Sequence, residues 1–530
     1  MKAIRCFHRL GRYAAVALLA SVASTSAALA QTTITAVMHS PLRVLDPVMS
    51  TAHITRNHAY MIYDVLVAAD EEFTPRPQMA SWTTSDDGLV YTFTLRDGLK
   101  FHDGAPVRAA DAVASLKRWG QRDGGGQILM DFTSSLEAVD DKTLVWQLRE
   151  PFPALLDTLA KQSGLPPFIM PERIASTASE TAISEHIGSG PFRFIESEFQ
   201  PGVSVAYEKF EDYVPRDEPA SWMAGGKVVN VDKVVWVTMP DALTSVNALA
   251  AGEIDYLEQV PVDLVPMLES EDEVTVEVRS DLGYQNFGRM NFKHPPFNDV
   301  RLRQAALLAM DQQAILSAQV GDPRYYTLCG AIFGCGTALE DQTGAESLLS
   351  GGDQERARAL LEEAGYDGTP VVILHATDVV SLSTQPIVAA QALRQVGFNV
   401  EVQSMDWQTL ISRRVSMAPP AQGGWNMFFS TWIVPEINTP LVSSMLSGRG
   451  DTAFFGWPDD PVAEEIKMAY IRAETAEAQR EAALRFQQHA MEQVLYIPLG
   501  EFGLPQARRN TLANMIPSPV PVFWNIEKNE

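Results

Sequence analysis

The sequence lacks a long apolar run, and no segment approaches the ~20 unbroken apolar residues that a membrane-spanning helix needs. A short apolar run, Ala14 to Ala20, follows four basic residues and precedes the small residues Ala28-Leu29-Ala30. This order is typical of a secretory signal peptide. We therefore predict a cleavable signal peptide over residues 1–30, with cleavage after Ala30 and a mature chain that begins at Gln31.

Cysteine is scarce as well, with 3 residues in a chain of 530. Cys6 leaves with the predicted signal peptide, whereas Cys329 and Cys335 form an even pair in the exported chain. An oxidising compartment makes a disulfide between them the expected state. Because the disulfide closes only a small loop, we expect it to make the chain locally rigid rather than to stabilise the whole fold. A metal site is the weaker alternative, because no second Cys or His pair stands at zinc-like spacing.

Basic residues are outnumbered, since 41 Lys and Arg face 66 Asp and Glu and leave a formal net charge of −25. Loss of the basic signal segment makes the mature chain more acidic still. Repulsion from phosphate backbones therefore argues against nucleic acid as a partner.

Motifs for catalysis or nucleotide binding are missing. Gly188-Ser189-Gly190 lacks the spacing of a nucleophile elbow and is typical of a turn before a strand. Gly225-Gly226-Lys227 lacks the earlier glycine of a phosphate-binding loop. His53 and His58 are five residues apart, a spacing that puts them on different faces of any helix. We therefore expect no enzymatic activity, no cofactor and no metal.

The length of the chain predicts two or more domains, because about five hundred residues exceed what one hydrophobic core usually serves. In the first third, Tyr91–Leu95 and Thr143–Leu148 alternate polar and apolar residues as strands do. Between them, Ala109 to Trp119 predicts a helix, and Gly124-Gly125-Gly126 predicts a break.

From about residue 299 the pattern changes to alternating helices and strands. Asn298 or Asp299 can cap a helix that runs to Met310, and Asp353 can start a second helix that stops at Gly365. A third helix over 387–396 ends at a glycine, and a strand follows over 398–402. This succession indicates an α/β layer and therefore a distinct second lobe.

Six sets of short segments, spread over essentially the whole mature chain, carry a resemblance to a known family. The segments are Leu45-Asp46-Pro47 with Tyr63-Asp64-Val65-Leu66, residues 95–104 (LRDGLKFHDG) with Pro106 and Asp111, residues 188–192 (GSGPF), residues 251–255 (AGEID), residues 296–305 (PFNDVRLRQA) and residues 360–366 (LLEEAGY). In sequence and in order they resemble the large periplasmic solute-binding proteins of ABC importers, the family of dipeptide-, oligopeptide- and nickel-binding proteins.

The resemblance implies a two-lobed α/β periplasmic binding protein fold with an extra subdomain in the first lobe. We expect lobe 1 over 31–285 with the subdomain at about 74–190, lobe 2 over 286–495, and a return to lobe 1 over 496–530. Two strands would join the lobes, near Tyr284–Asn291 and Ile497–Gly503. Such a molecule is a hinge that a ligand closes through contacts with both lobes.

The implied function is that of a monomeric periplasmic binding protein, which delivers a small organic ligand to an ABC permease in the inner membrane. The ligand would be a short peptide or a peptide-like, carboxylate-bearing solute. Two alternatives stay open: a partner of a chemoreceptor or a chaperone-like binder, and, with less support, a secreted hydrolase.

The resemblance also suggests ligand contacts. In oligopeptide-binding relatives a Trp and an Arg seven positions later line the cleft, as Trp407 and Arg414 would here, and Arg414 could bind a carboxylate bidentately. Trp432 matches another cleft tryptophan. Thr51 and His53 align with a ligand-touching segment of the first lobe. Each residue also has a structural interpretation, as a core tryptophan, a surface arginine or a loop histidine.

The chain departs from the peptide binders three residues after Trp432. They carry an aspartate there that pairs with the amino terminus of the peptide, whereas this chain has Pro435, followed by Glu436. A free-amine peptide is therefore in doubt, although Glu436 could substitute for the aspartate. Glu501 and Phe502 lie where the return crossing passes the cleft, and the Cys329–Cys335 loop could be a lid over it or a pinned surface turn.

Overall fold

The computed structural model describes residues 31–529. The predicted signal peptide, with Cys6 and the cleavage site after Ala30, lies outside the described residues. Within the described part of the chain, no helix has both the length and the apolar character needed to cross a membrane.

The first of two large sheets has seven strands. Its strand Thr33–Val37 runs parallel to both neighbours, and the other pairings are antiparallel. In spatial order the strands are Phe192–Phe194, Ser204–Lys209, Lys233–Val237, Thr33–Val37, Tyr256–Leu257, Pro505–Arg509 and Val274–Val278.

The second large sheet has six strands and mixes parallel and antiparallel pairing. Its strand Tyr284–Met290 is buried at every position, as expected of a strand with a neighbour on each side. In spatial order the strands are Tyr326–Thr327, Ile497–Phe502, Tyr284–Met290, Met427–Ile433, Val371–Ala376 and Val400–Met405.

A third, antiparallel sheet of four strands is formed by the chain between Thr33–Val37 and Phe192–Phe194, which are the first two strands of the seven-stranded sheet in chain order. Its strands are, in spatial order, Ala80–Thr84, Val90–Leu95, Thr143–Leu148 and Thr133–Ala138. Three short pairs join Asp64–Val65 to Phe168–Ile169, Val67–Ala69 to Pro75–Pro77, and Leu512–Ala513 to Glu527–Lys528.

The helices pack around these sheets and bury an extended apolar core, with a smaller cluster around Val246, Leu249 and Leu268. Before residue 284 they are His53–Ile62, Ala109–Trp119, Gly124–Phe132, Leu155–Leu159, Glu172–Ala175, Ala242–Ala250 and Val265–Glu269. After it they are Val300–Ala309, Gln312–Gln319, Glu346–Leu349, Gln354–Ala364, Val380–Ser383, Gln385–Val396, Trp407–Arg413, Pro461–Arg472 and Ala476–Gln493.

The chain changes sheets between residues 278 and 284 and returns between 502 and 505. We call residues 32–283 and 503–529 the first-sheet region, and residues 284–502 the second-sheet region. The two strands predicted near the crossings, Tyr284–Met290 and Ile497–Phe502, both belong to the six-stranded sheet and pair with each other. The exact domain boundaries stay a prediction.

Most local signals are confirmed. The helix Ala109–Trp119 has the predicted bounds, and Asp299, rather than Asn298, caps the helix Val300–Ala309 by accepting from Arg301 N. Asp353 caps the helix Gln354–Ala364, and Gly365 ends it with a left-handed φ of 68°, which glycine adopts without strain.

Three local predictions need correction. Gly124-Gly125-Gly126 is the first turn of a helix rather than a break, because the Asp123 carboxylate accepts from Gly126 N at 2.9 Å and caps it. A Cβ on Gly126 would lie 3.1 Å from the Trp119 ring, so glycine permits this close packing. The strand placed at 398–402 is Val400–Met405. The run Met427 to Ser430, which the sequence also predicts as a strand, extends through Trp432 to Ile433.

Candidate functional site

Both sheet regions contribute to a small cavity, which we call the inner cavity and whose volume is about 30 Å³, room for little more than one water molecule. Asp406 positions one wall, because its carboxylate accepts from Thr409 N and starts the helix Trp407–Arg413. The lining residues are His39, Thr51, Ala52, His53 and Gln259 of the first-sheet region, and Tyr284, Val379, Ser381, Leu382, Trp407, Arg414, Ser430, Thr431 and Trp432 of the second.

Arg414 ends the helix Trp407–Arg413 and points its guanidinium across the boundary between the two regions. Its side chain is only 3% exposed, and Nη2 donates to Thr51 Oγ1 at 3.0 Å. The Phe455 ring lies 4.7 Å from the guanidinium carbon and the Trp407 ring 5.5 Å from it. These contacts leave the cation in largely apolar surroundings.

No carboxylate of residues 31–529 forms an ion pair with Arg414, and its buried Nε has no hydrogen-bond acceptor. Burial lowers the pKa of Arg414 to about 9, so the side chain stays charged at neutral pH. A buried guanidinium with free donors suits an incoming carboxylate, which can take two parallel hydrogen bonds.

A larger chamber of about 730 Å³ adjoins the inner cavity and shares Thr51 and Arg414 with it. Many lining residues are apolar: Val44, Val48, Met49, Leu165, Ile411, Val415, Met417, Phe454, Phe455 and Trp457. Polar groups include Arg122, Asp123, Gln127, Ser412, Ser444, Ser447, Asp451 and Thr452. A volume and lining of this kind suit a small organic molecule.

Glu436 joins the two regions next to the inner cavity. Its Oε2 lies 3.0 Å from His53 Nε2 and accepts from Ile433 N at 3.0 Å. Its Oε1 accepts from Ser163 Oγ and, at 2.8 Å, from Gly164 N.

The buried guanidinium of Arg56 lies 3.9 Å from Glu436 Oε1 and also donates to Ser163 Oγ. Burial alone would raise the pKa of Glu436, but His53, Arg56 and Ser163 outweigh it and lower the pKa to about 2. Burial lowers the pKa of His53, against the pull of Glu436. The carboxylate therefore stays ionised and is fully engaged by protein donors.

A second acid lies behind the other histidine of the inner cavity. Glu258 Oε2 accepts from His39 N at 2.9 Å and lies 2.7 Å from His39 Nδ1, with Arg279 Nη1 3.9 Å from Oε1. Burial would raise the pKa of Glu258, but His39 and Arg279 lower it to about 2. Each histidine thus stands between the cavity and an ionised glutamate.

Comparisons with known proteins decide the family. The family described as bacterial extracellular solute-binding proteins, family 5 middle, matches residues 74–454. A probable peptide ABC transporter periplasmic-binding protein of Sinorhizobium fredii is 41% identical over 490 residues, 92% of each chain. The chain belongs to this family. It is a solute-binding protein, and the family is one of transport binding proteins.

More distant relatives agree with this assignment. The periplasmic oligopeptide-binding protein of Escherichia coli is 28% identical over 484 residues, 84% of this chain and 82% of that protein. A periplasmic binding protein from A. tumefaciens R10, solved with agropinic acid, has a TM-score of 0.79 at 21% identity and covers 94% of this chain and 99% of its own. A Helicobacter pylori binding protein solved with the peptide STSA reaches 0.79 at 19%, with the same coverage. The predicted two-lobed α/β fold is confirmed.

Five of the predicted contact residues of this family member meet around one cavity: Thr51, His53, Trp407, Arg414 and Trp432. Trp432 is buried, with its ring edge-on to Phe287 and Phe454, so it serves the core as well as the cavity wall. Glu501 and Phe502 line neither the inner cavity nor the chamber. Phe502 stacks on Tyr284, which lines the inner cavity.

The predicted disulfide between Cys329 and Cys335 is present, with the two Cα atoms 6.0 Å apart. Because the sulfurs are bonded to each other, the nearby Glu501 does not share a metal with them in this state. Glu501 Oε1 instead accepts from Cys335 N at 3.0 Å and from Gln285 Nε2 at 3.3 Å, and burial raises its pKa to about 7.

The loop closed by the disulfide packs into the second-sheet region rather than over the cavities. Gln285 Nε2 donates to Ala331 O, and Gln487 Oε1 accepts from Ile332 N. No residue from 329 to 335 lines either cavity. The structure therefore favours the pinned turn over the lid.

Sequence reasoning missed Arg56, Ser163 and Gly164, the partners of Glu436. Arg56 could have been found, since it follows His53 by one helical turn and faces the same way. Ser163 and Gly164 carry no such signal, because they lie more than 270 residues from Glu436 in the chain.

Proposed function

We propose that this protein captures a small carboxylate-bearing organic solute between its two sheet regions and delivers it to the permease of an ABC importer. The proposed location is the periplasm, reached through a signal peptide cleaved after Ala30, and the protein would act as a monomer without catalysis. The family assignment and the relatives, which are periplasmic binding proteins, support this proposal.

The observation that carries the proposal is the state of Arg414. It is a buried cation at the meeting of the two regions, and the described residues offer it no acidic partner. An uncompensated buried charge is unfavourable unless an opposite charge joins it. A solute carboxylate would supply that charge, and Thr51 from the other region could share it.

The same residues explain how binding would close the hinge. A carboxylate on Arg414 contacts the second-sheet region, while Thr51 and His53 belong to the first. The regions already meet nearby, since Arg43 pairs with Asp406 at 3.2 Å. A ligand that touches both regions stabilises their closed arrangement by its differential affinity for it.

The adjoining chamber would take the rest of the solute. Trp407 and Trp432 provide rigid walls beside the carboxylate, and the apolar chamber residues suit a hydrocarbon or aromatic portion. Related proteins named for peptides and glutathione, and neighbours solved with agropinic acid, mannopinic acid or a peptide, support a ligand of this size. Glu501 and Phe502 would act at the crossing strand rather than on the solute.

A thermal-shift screen with matched ligands tests the proposal. Small carboxylic acids are compared with their own carboxamides, which keep the shape and lose the charge. An acid at ~100 times its dissociation constant should add ~2.7 kcal/mol of stability, and its amide should add little. Solution scattering should show a more compact particle with the acid, and mass spectrometry should recover it unaltered. Equal shifts from acids and amides, or an acid that is chemically changed, would contradict the proposal.

A further inference from the structure

We propose that the cleft selects carboxylic acids without a free ammonium group, because every carboxylate next to its two cavities is already committed to a group of the protein. This inference rests on the proposed function and names the class of solute. It assigns His53 and Arg56, the internal partners of Glu436, as determinants of specificity.

Glu436 has no capacity left to accept a hydrogen bond from a ligand. Its two oxygens receive four hydrogen bonds, from His53, Ile433, Ser163 and Gly164, and a carboxylate offers about four lone-pair sites. The side chain is 1% exposed. Arg56 supplies the positive charge that a ligand ammonium would otherwise bring. Glu436 therefore does not replace the missing aspartate of the peptide binders at Pro435.

The other acids near the two cavities are also paired with groups of the protein. Among the lining residues of both cavities, within residues 31–529, only Asp123 and Asp451 carry a carboxylate. Asp123 is buried, pairs with Lys161 at 2.6 Å and caps a helix, while Asp451 pairs with Lys293. Glu258 stands behind His39 and is held by Arg279. The Asp451 side chain is 73% exposed to solvent, so a ligand ammonium would find no buried carboxylate that is free to pair with it.

The charges that remain unpaired at the two cavities are positive. Arg414 is buried without an ion pair, and the exposed Arg122 at the chamber wall also has none among the described residues. The cleft of a chain with a net charge of −25 is thus cationic. A zwitterionic dipeptide would satisfy Arg414 but bury an unpaired ammonium, and such an unpaired charge is how a site rejects a competitor.

Neutral polar groups in the inner cavity suit a blocked amine. Ser430, Thr431 and Gln259 line it with hydroxyl and amide groups, and its volume of about 30 Å³ admits one small polar group of the solute, such as a hydroxyl or an amide oxygen. The same positions offer no charge to an ammonium. The expected ligands are therefore acids whose nitrogen, if present, is acylated.

Calorimetric titration of the full-length mature protein with two probes tests this inference. Alanyl-phenylalanine and N-acetyl-alanyl-phenylalanine share one carboxylate and one aromatic side chain and differ only at the amine. We expect the acetylated probe to bind at least about 100-fold more tightly, as a buried unpaired charge should produce. If the wild-type protein binds both probes equally, or neither, the inference is wrong.

A specificity change provides the second measurement. His53→Ala removes the ring between the cavity and Glu436, so the ratio of the two affinities should fall by about tenfold or more in favour of the free amine. His489→Ala, which removes a histidine from the carboxylate of Asp460 but lines neither cavity, should leave the ratio unchanged. An unchanged ratio in a folded His53→Ala variant would overturn the assignment of His53.

The two proposals fail differently. Equal binding of both dipeptides would remove the selectivity and leave carboxylate capture intact. Failure of the proposed function would appear instead in the thermal-shift screen, as acids that stabilise the protein no more than their amides do.

Discussion

The Arg414→Met substitution keeps the length and apolar packing of the side chain but removes its charge and its hydrogen bond to Thr51. Because the described residues offer Arg414 no acid, the cation is unfavourable in the ligand-free closed form. With a bound carboxylate the same cation is favourable. The substitution should therefore have opposite effects in the two states.

The magnitude follows from the pKa. Burial lowers the pKa of Arg414 from 12.5 to about 9, which at ~1.4 kcal/mol per unit opposes the cation by about 5 kcal/mol. Loss of the Thr51 hydrogen bond offsets about 1 kcal/mol of this, and loss of the cation–π contacts with Phe455 and Trp407 offsets about 1 kcal/mol more. The free energy of unfolding of the ligand-free variant should then rise by up to about 3 kcal/mol at pH 7, and by less if the free protein relieves the charge by opening.

The liganded state should respond in the other direction. Removing one partner of a buried charge pair usually weakens binding by about 2–5 kcal/mol, so affinity for an acid from the thermal-shift screen should fall about 100-fold or more. Urea unfolding and calorimetric titration measure the two effects. Arg413→Met is the matched control, because Arg413 donates to the carbonyls of Gly423 and Gly424 and lines neither cavity. Unchanged affinity, or a large loss of ligand-free stability, would refute the reasoning.

Three further predictions concern stability. Replacing Cys329 and Cys335 by serine opens a small loop and should lower the free energy of unfolding by about 2 kcal/mol, measured in urea without reductant. The pKa of Glu501 rises from 4.5 to about 7 in the folded state, so the protein loses stability as the pH rises between those values. Glu501→Gln should therefore raise the free energy of unfolding by up to about 3 kcal/mol at pH 8 and by almost nothing at pH 4. Equal effects at the two pH values would contradict this prediction. Gly188→Ala places a Cβ 1.8 Å from Ile62 O and should lower the free energy of unfolding by at least about 2 kcal/mol in the same titration. Gly321→Ala is the control, because no atom lies within 4 Å of its Cβ and the substitution tests backbone strain alone.

Local physics explains why so many elements were predictable. Asp299, Asp353 and Asp406 each precede an apolar-periodic segment, and each accepts a backbone N–H at the start of a helix. The polar–apolar alternation of residues 143–148 likewise matches a strand with one buried face. The prediction of a break at residues 124–126 was wrong, because three glycines suggest a break whereas Asp123 caps a helix that begins there.

The candidate site was partly predictable, through the resemblance rather than through local pattern. Trp407, Arg414, Trp432, Thr51 and His53 all line one cavity. Glu501 does not line the cavity, because its side chain turns towards the disulfide loop and accepts a hydrogen bond from Cys335 N. The register of the strand decides towards which face of the sheet a side chain points, and the amino-acid sequence alone does not reveal that register.

The amino-acid order thus predicts several of the helices and strands, the cysteine pair and the family, because caps, periodicity and motifs act over a few neighbouring residues. Only the tertiary structure decides that Arg414 is left without an acid while Glu436 is surrounded by donors. His53 and Ser163 reach Glu436 across 383 and 273 residues of chain. The charge balance of the cleft depends on which distant groups share a buried space, and no local pattern encodes that.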